Sequence, residues 1–106
     1  MASPRVAVSY CSKLPDYEAS VRAAGGEPVV VRADDSRVED ILATCDGVIL
    51  SGGGDVDPAY YGAPPHRTFD AAEPGRDGFE LDLARCVRIE DIPLLAICRG
   101  IQVLNV

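Results

Sequence analysis

Histidine, lysine, methionine and tryptophan are scarce or missing in this chain. There is one histidine (His66), one methionine and no tryptophan. Cys11, Cys45, Cys86 and Cys98 show no C-x-x-C spacing, and no histidine lies near any of them. That excludes a zinc site built from sequence neighbours, and no metal is expected. Basic residues are also few: 10 Lys+Arg against 17 Asp+Glu give a formal net charge of −7. Without a basic patch, neither nucleic acid nor an anionic membrane is an expected partner. No window approaches the roughly 18 consecutive apolar residues of a membrane span. The opening "MASPRVAVSY" lacks a charged-then-apolar signal segment, so a cytoplasmic protein with free thiols is expected.

What remains is enough for a core. Hydrophobic residues make up 47% of 106 residues, a length that fits no more than one domain. Val6-Ala7-Val8, "PVVVR" (28–32), "DGVIL" (46–50) and "IPLLAIC" (92–98) are continuously apolar and read as buried strands. Helical segments fall between them. Pro15 suits a first turn, with Tyr17, Val21 and Ala24 following before Gly25-Gly26 ends the pattern. Ser36-Arg37-Val38-Glu39 and Asp77-Gly78-Phe79-Glu80 each read as a capping box opening a helix. Alternating helices and apolar strands predict an α/β fold, a doubly wound, flavodoxin-like parallel sheet with helices on both faces and strand order 2-1-3-4. The connection 52–75, rich in glycine, proline and acidic residues, is long enough to be functional.

Ligands of such sheets bind beyond the carboxyl ends of the strands. Cys98, Gly52-Gly53-Gly54 and Tyr10-Cys11 all fall there. Ala96-Ile97-Cys98-Arg99-Gly100 has small residues two before and two after the cysteine. A strained strand–nucleophile–helix elbow requires that spacing. A helix starting behind Cys98 favours thiolate, and the Arg99 amide would point to a developing oxyanion. The glycine triplet offers the second amide, since no Cβ blocks it; with no G-K-[ST] following, it is not a phosphate loop. Taken alone, Cys98 is equally a small buried residue at a strand end, and the triplet a tight turn.

"GVILSGGGDVDPAYYG", "GRDGFELDL" and "IPLLAICRGIQVLNV" together resemble the class I glutamine amidotransferase-like superfamily, closest to its gamma-glutamyl-gamma-aminobutyrate hydrolase branch. The resemblance runs from about residue 46 to Val106, and C-R-G-x-Q-x-x-N-V is its most specific part. It implies Cys98 as catalytic nucleophile, with Gly53, Gly54 and Arg99 in the oxyanion hole. It also implies that Gln102 and Gly52 hold a small gamma-glutamyl substrate, and that no cofactor is needed. Arg76, Asp77 and Glu80 match a family pattern too, though Asp77 and Glu80 are read as helix caps. Asp55 and Asp57, with a proline beside them, make a poor metal cage.

The family's proton carrier is a histidine, followed two residues later by a glutamate, downstream of the elbow. No such pair occurs in this sequence, and His66 in "APPHRTF" reads as a solvated loop residue. The expectation is therefore that residues 1–106 form the N-terminal part of one amidotransferase-like domain, truncated after the elbow. The partner expected is the missing C-terminal half or a second copy of the chain. A glutaminase subunit of an amidotransferase and a non-catalytic thiol or redox-sensing module are the alternatives.

Overall fold

The computed structural model describes residues 3–106. Four strands and four α-helices alternate: β1 (Arg5–Ser9), α1 (Leu14–Ala23), β2 (Glu27–Val31), α2 (Val38–Thr44), β3 (Gly47–Leu50), α3 (Arg76–Ile89), β4 (Leu94–Ala96) and α4 (Arg99–Asn105). A short 3₁₀ turn, Pro58–Tyr61, interrupts the long connection. Every pairing is parallel, and the sheet order is β2-β1-β3-β4. This is the expected flavodoxin-like arrangement.

The chain winds outward from β1 to β2 and then reverses to β3 and β4. With right-handed crossovers, α1 falls on one face and α2 and α3 on the other. Accordingly α1 packs on β1 and β2, while α3 packs between α2 and α4. The core lies between the sheet and this second layer. Ala7, Val48 and Leu50 from the strands meet Ile41, Leu83, Val87 and Val103 from the helices. No helix among the described residues is long and apolar enough to cross a membrane.

Two expectations need correction. β4 is apolar but not buried on both faces: Leu95 is 54% exposed, and Ile97, Ile101 and Leu104 are also open. Among the described residues β4 pairs only with β3, and α1 covers the opposite end of that sheet face. Neither capping box forms. Arg37 is the N-cap of α2, and Ser36 Oγ instead accepts from Arg32 N at 2.9 Å, bracing the turn before the helix. α3 starts two residues earlier than the pattern suggests, behind Gly75 at φ 77°, without a side-chain cap. Asp77 and Glu80 point elsewhere.

Candidate active site

Cys98 occupies a backbone conformation that few non-glycine residues adopt, φ 54° and ψ −108°. Its neighbours explain how the chain holds it. Ile97 N donates to Leu50 O at 3.0 Å, which fixes the strand end against β3. Gly100 then lets α4 press directly on Leu50. A Cβ at Gly100 would run into the Leu50 carbonyl oxygen and sit 2.9 Å from Leu50 Cβ. The small residue expected two positions after Cys98 is thus a packing requirement. Cys98 is exposed. Cys11, also at a strand end, is buried at 3% exposure, so it does not share that accessibility.

The glycine loop lies beside the cysteine. A Cβ at Gly52 would come within 3.7 Å of Cys98 Cβ and 3.4 Å of Tyr17 Oη. Gly52 N already donates to that Tyr17 hydroxyl at 3.0 Å. Gly53 has φ 151°, and a Cβ there would collide with the Arg76 guanidinium. At Gly54 a Cβ would lie 2.6 Å from Ala71 O, so the far end of the 52–75 loop closes directly on it. A bridge between Asp55 and Ala71 pins the same closure.

Below the loop is a buried ionic cluster. Arg99 is fully buried; its Nη1 donates to Gly54 O at 2.9 Å and its Nη2 to Asp77 Oδ1 at 2.6 Å. Arg76 Nη2 donates to Ser51 O at 3.2 Å and Gly52 O at 2.9 Å. Its Nε donates to Glu80 Oε2 at 2.5 Å. Glu80, 1% exposed, lies between the two guanidiniums; its Oε1 is 3.4 Å from Arg99 Nε. Neither of those two atoms completes a hydrogen bond, so that contact is ionic only. Burial pushes the Glu80 carboxyl above the ordinary glutamate value, and Arg76 and then Arg99 pull against it without cancelling the rise. Burial opposes the Arg76 charge, but the hydrogen bond and charge of Glu80, with help from Glu73, more than offset it and raise its pKa. Ser9 and Ser51 complete the floor: Ser51 Oγ donates to Ser9 O at 2.6 Å.

Gln102 stands one turn into α4, facing the loop. Its Oε1 accepts from Val56 N at 3.1 Å, and its Nε2 donates to Asp55 Oδ1 at 3.1 Å. Both ends of the side chain brace the loop in this conformation. Hydrogen bonds from Gln102 and then from the Asp70 amide hold the Asp55 carboxyl below its ordinary value. Asp57 Oδ1 accepts from Ala59 N, capping the 3₁₀ turn. His66 Nδ1 hydrogen-bonds Thr68 Oγ1 at 2.8 Å, and the ring lines a hollow of about 260 Å³ with Asp55 and Gln102. A cavity of about 460 Å³ lies at the carboxyl ends of β1 and β2 against Tyr10, Arg32 and Phe79. Cys98 does not line it. Exposure and backbone geometry single out Cys98 more strongly than cavity size does.

An exposed cysteine on a positive-φ turn, a glycine loop against it and a C-R-G-x-Q helix behind it form one constellation. The sequence profile of the Peptidase C26 family matches residues 3–106. The chain belongs to that family, a class I glutamine amidotransferase-like group. A Mycobacterium tuberculosis protein provisionally named a glutamine amidotransferase is 40% identical over 94 residues, covering 86% of this chain and 30% of the relative. A similarly named Lactococcus lactis protein is 37% identical over 83 residues, 76% of this chain and 44% of its own. The gamma-glutamyl-gamma-aminobutyrate hydrolase of Escherichia coli is 34% identical over 94 residues, 85% of this chain and 36% of the relative. The matched part of this chain thus spans less than half the length of each of these relatives.

Sequence reasoning did not find Tyr17, the Ser9–Ser51 pair or the Arg76–Glu80–Arg99–Asp77 cluster. One signal was available. Glu80 falls on the stripe of Leu83, Ala84 and Val87 at helical spacing, where a solvated carboxylate does not belong.

Proposed function

We propose that these residues form the N-terminal part of a cysteine-nucleophile amidohydrolase that cleaves gamma-glutamyl amide bonds. The observation that carries the reading is the φ 54° elbow at Cys98, an exposed residue, with Gly100 packed on Leu50. Strain of this kind persists where function repays it. Family membership and the name of the E. coli relative support the substrate class.

In the proposed reaction the Cys98 thiolate attacks the gamma-glutamyl carbonyl carbon, forming a C–S bond and a tetrahedral oxyanion. The Arg99 amide and the Gly53-Gly54 segment donate to that oxygen. As the carbonyl reforms, the C–N bond breaks and the amine departs with a proton. Water then hydrolyses the thioester, releasing the gamma-carboxylate and restoring the thiol. Gly52 and Gln102 flank the glutamyl portion. The proton carrier belongs to a segment outside these residues; His66, bonded to Thr68 on the outer loop, does not take that role.

A glutaminase subunit shares every step up to the thioester and differs only in the fate of the ammonia. A thiol-sensing module would use Cys98 without acylation. A gamma-glutamyl chloromethyl ketone, compared with chloroacetone, separates the two acyl-transfer readings from the thiol module on the chain itself. The glutamyl reagent should modify Cys98 ahead of Cys86 and outpace chloroacetone there, and Cys98→Ala should remove the adduct. Equal rates for the two reagents would overturn the hydrolase reading and favour the thiol module.

A further inference from the structure

We infer that Glu80 is a positioning residue for acyl transfer: with Arg76 and Arg99 it fixes the glycine loop so that the Gly53 amide is the loop's oriented free donor for an oxyanion formed at Cys98. The inference rests on the reading above that Cys98 is acylated.

A peptide plane carries its carbonyl and its N–H on opposite sides, so holding one orients the other. In a run of three glycines almost nothing local sets that orientation. Here two buried guanidiniums set it from below. Arg76 holds Ser51 O and Gly52 O, and Arg99 holds Gly54 O. The three planes so fixed end in the N–H groups of Gly52, Gly53 and Asp55. Gly52 N is taken by Tyr17 Oη, and Asp55 N by Asp70 O. Gly53 N has no partner among the described residues, and its plane is the one held at Gly52 O. The Gly54 N–H is also without a partner among the described residues, but it belongs to a plane that neither arginine grips.

Both arginines depend on Glu80. It accepts from Arg76 Nε and lies ionically against Arg99 Nε, with almost no access to water. Removing its charge leaves two guanidiniums facing each other in the interior, with Asp77 the remaining partner of Arg99 and Glu73 that of Arg76. Arg76 also borders the 460 Å³ cavity and contacts Glu73 at 3.3 Å, so it has somewhere to go. Turning toward Glu73 would release Gly52 O, and the Gly53 N–H would lose its orientation. Glu80 touches no substrate in this account.

Two reactions at the same sulfur provide the test. Iodoacetamide alkylates the thiolate with loss of iodide and forms no oxyanion. p-Nitrophenyl acetate acylates it through a tetrahedral oxyanion with loss of p-nitrophenolate. Both rates at Cys98 are measured on the chain across pH, so that the thiolate fraction is common to the two. Glu80→Gln should slow acylation by at least about tenfold, since losing one oxyanion donor costs about 10²–10³, and leave alkylation nearly unchanged. Arg76→Lys keeps the charge beside Glu80 but loses the fork on Ser51 O and Gly52 O, so it should show the same split if Glu80→Gln does not fold. Acylation and alkylation falling together, or neither changing, would overturn the inference. Wild-type chain acylated no faster at Cys98 than at Cys86 would instead overturn the proposed function, and this inference with it.

Discussion

Gly100→Ala tests the packing that holds the elbow. The new Cβ would meet the Leu50 carbonyl oxygen and lie 2.9 Å from Leu50 Cβ and 3.0 Å from Leu50 C, where ordinary contact starts at 3.4 Å. Leu50 cannot retreat, because it is fully buried in a strand paired on both sides. Helix α4 must therefore back away, and overpacking against backbone belongs at the upper end of about 1–3 kcal/mol. Alanine regains about 1 kcal/mol of helix propensity over glycine. The net expectation is a loss of about 2 kcal/mol. Gly78→Ala supplies the matched control: its Cβ would meet only the Tyr60 hydroxyl at 3.4 Å, the movable tip of an exposed side chain. That variant should gain about 0.5–1 kcal/mol. Urea unfolding followed by far-UV circular dichroism reads both, and the two shifts should have opposite signs. Moving the start of α4 also displaces Cys98, and a 1 Å misplacement can cost about 10²-fold in rate, so p-nitrophenyl acetate acylation should fall as well. A Gly100→Ala chain as stable as wild type would refute the packing argument.

Thiol accessibility and pH provide two further checks. Iodoacetamide should reach Cys98 first and the half-buried Cys86 second, with the buried Cys11 and Cys45 last, as read by peptide mass spectrometry. Comparable native-state labelling of Cys11 would contradict that order. The Asp55 carboxyl is held below its ordinary value of 3.8 by Gln102 and the Asp70 amide. A carboxylate depressed in the folded state contributes stability above the unfolded value, and loses it as pH falls through the folded one. Asp55→Asn should therefore lower the urea midpoint above pH 3.8 and flatten its decline below, and an unaltered pH profile would show that the loop closure does not depend on this charge.

The parallel sheet was legible because "PVVV" and "GVIL" are continuous apolar runs separated by helical spacing, a local signal of a buried strand. The elbow was legible for a related reason: the crowding at Gly100 restricts residue type at a fixed distance from Cys98. Glu80 was not. An acidic residue three after Asp77 fits a capping box as well as a buried ion pair. What decides between them is Arg99, which arrives from the next helix and takes Asp77 Oδ1 at 2.6 Å. Ser36 was misread similarly, its hydroxyl going back to Arg32 N instead of forward to a helix amide. The exposure of β4 was hidden because the residues of a strand report their own polarity and not what packs over them.

The register of the sheet bears on the order in which the molecule assembles. Arg5 pairs with Glu27, Val6 with Gly47, and Val48 with Leu94. The last pairing encloses roughly twice the chain of the first, which adds only about 0.6 kcal/mol of closure entropy. It also rests on three residue pairs where β1–β2 has five. The strand that carries the cysteine therefore docks late and detaches early, while β1, held between two neighbours, is the last to leave. Native-state hydrogen exchange should find the Leu95 amide opening by a cheaper local route than Val8, and equal protection at the two would refute this order. Mild heating or denaturant would then silence Cys98 chemistry while most of the sheet was still assembled.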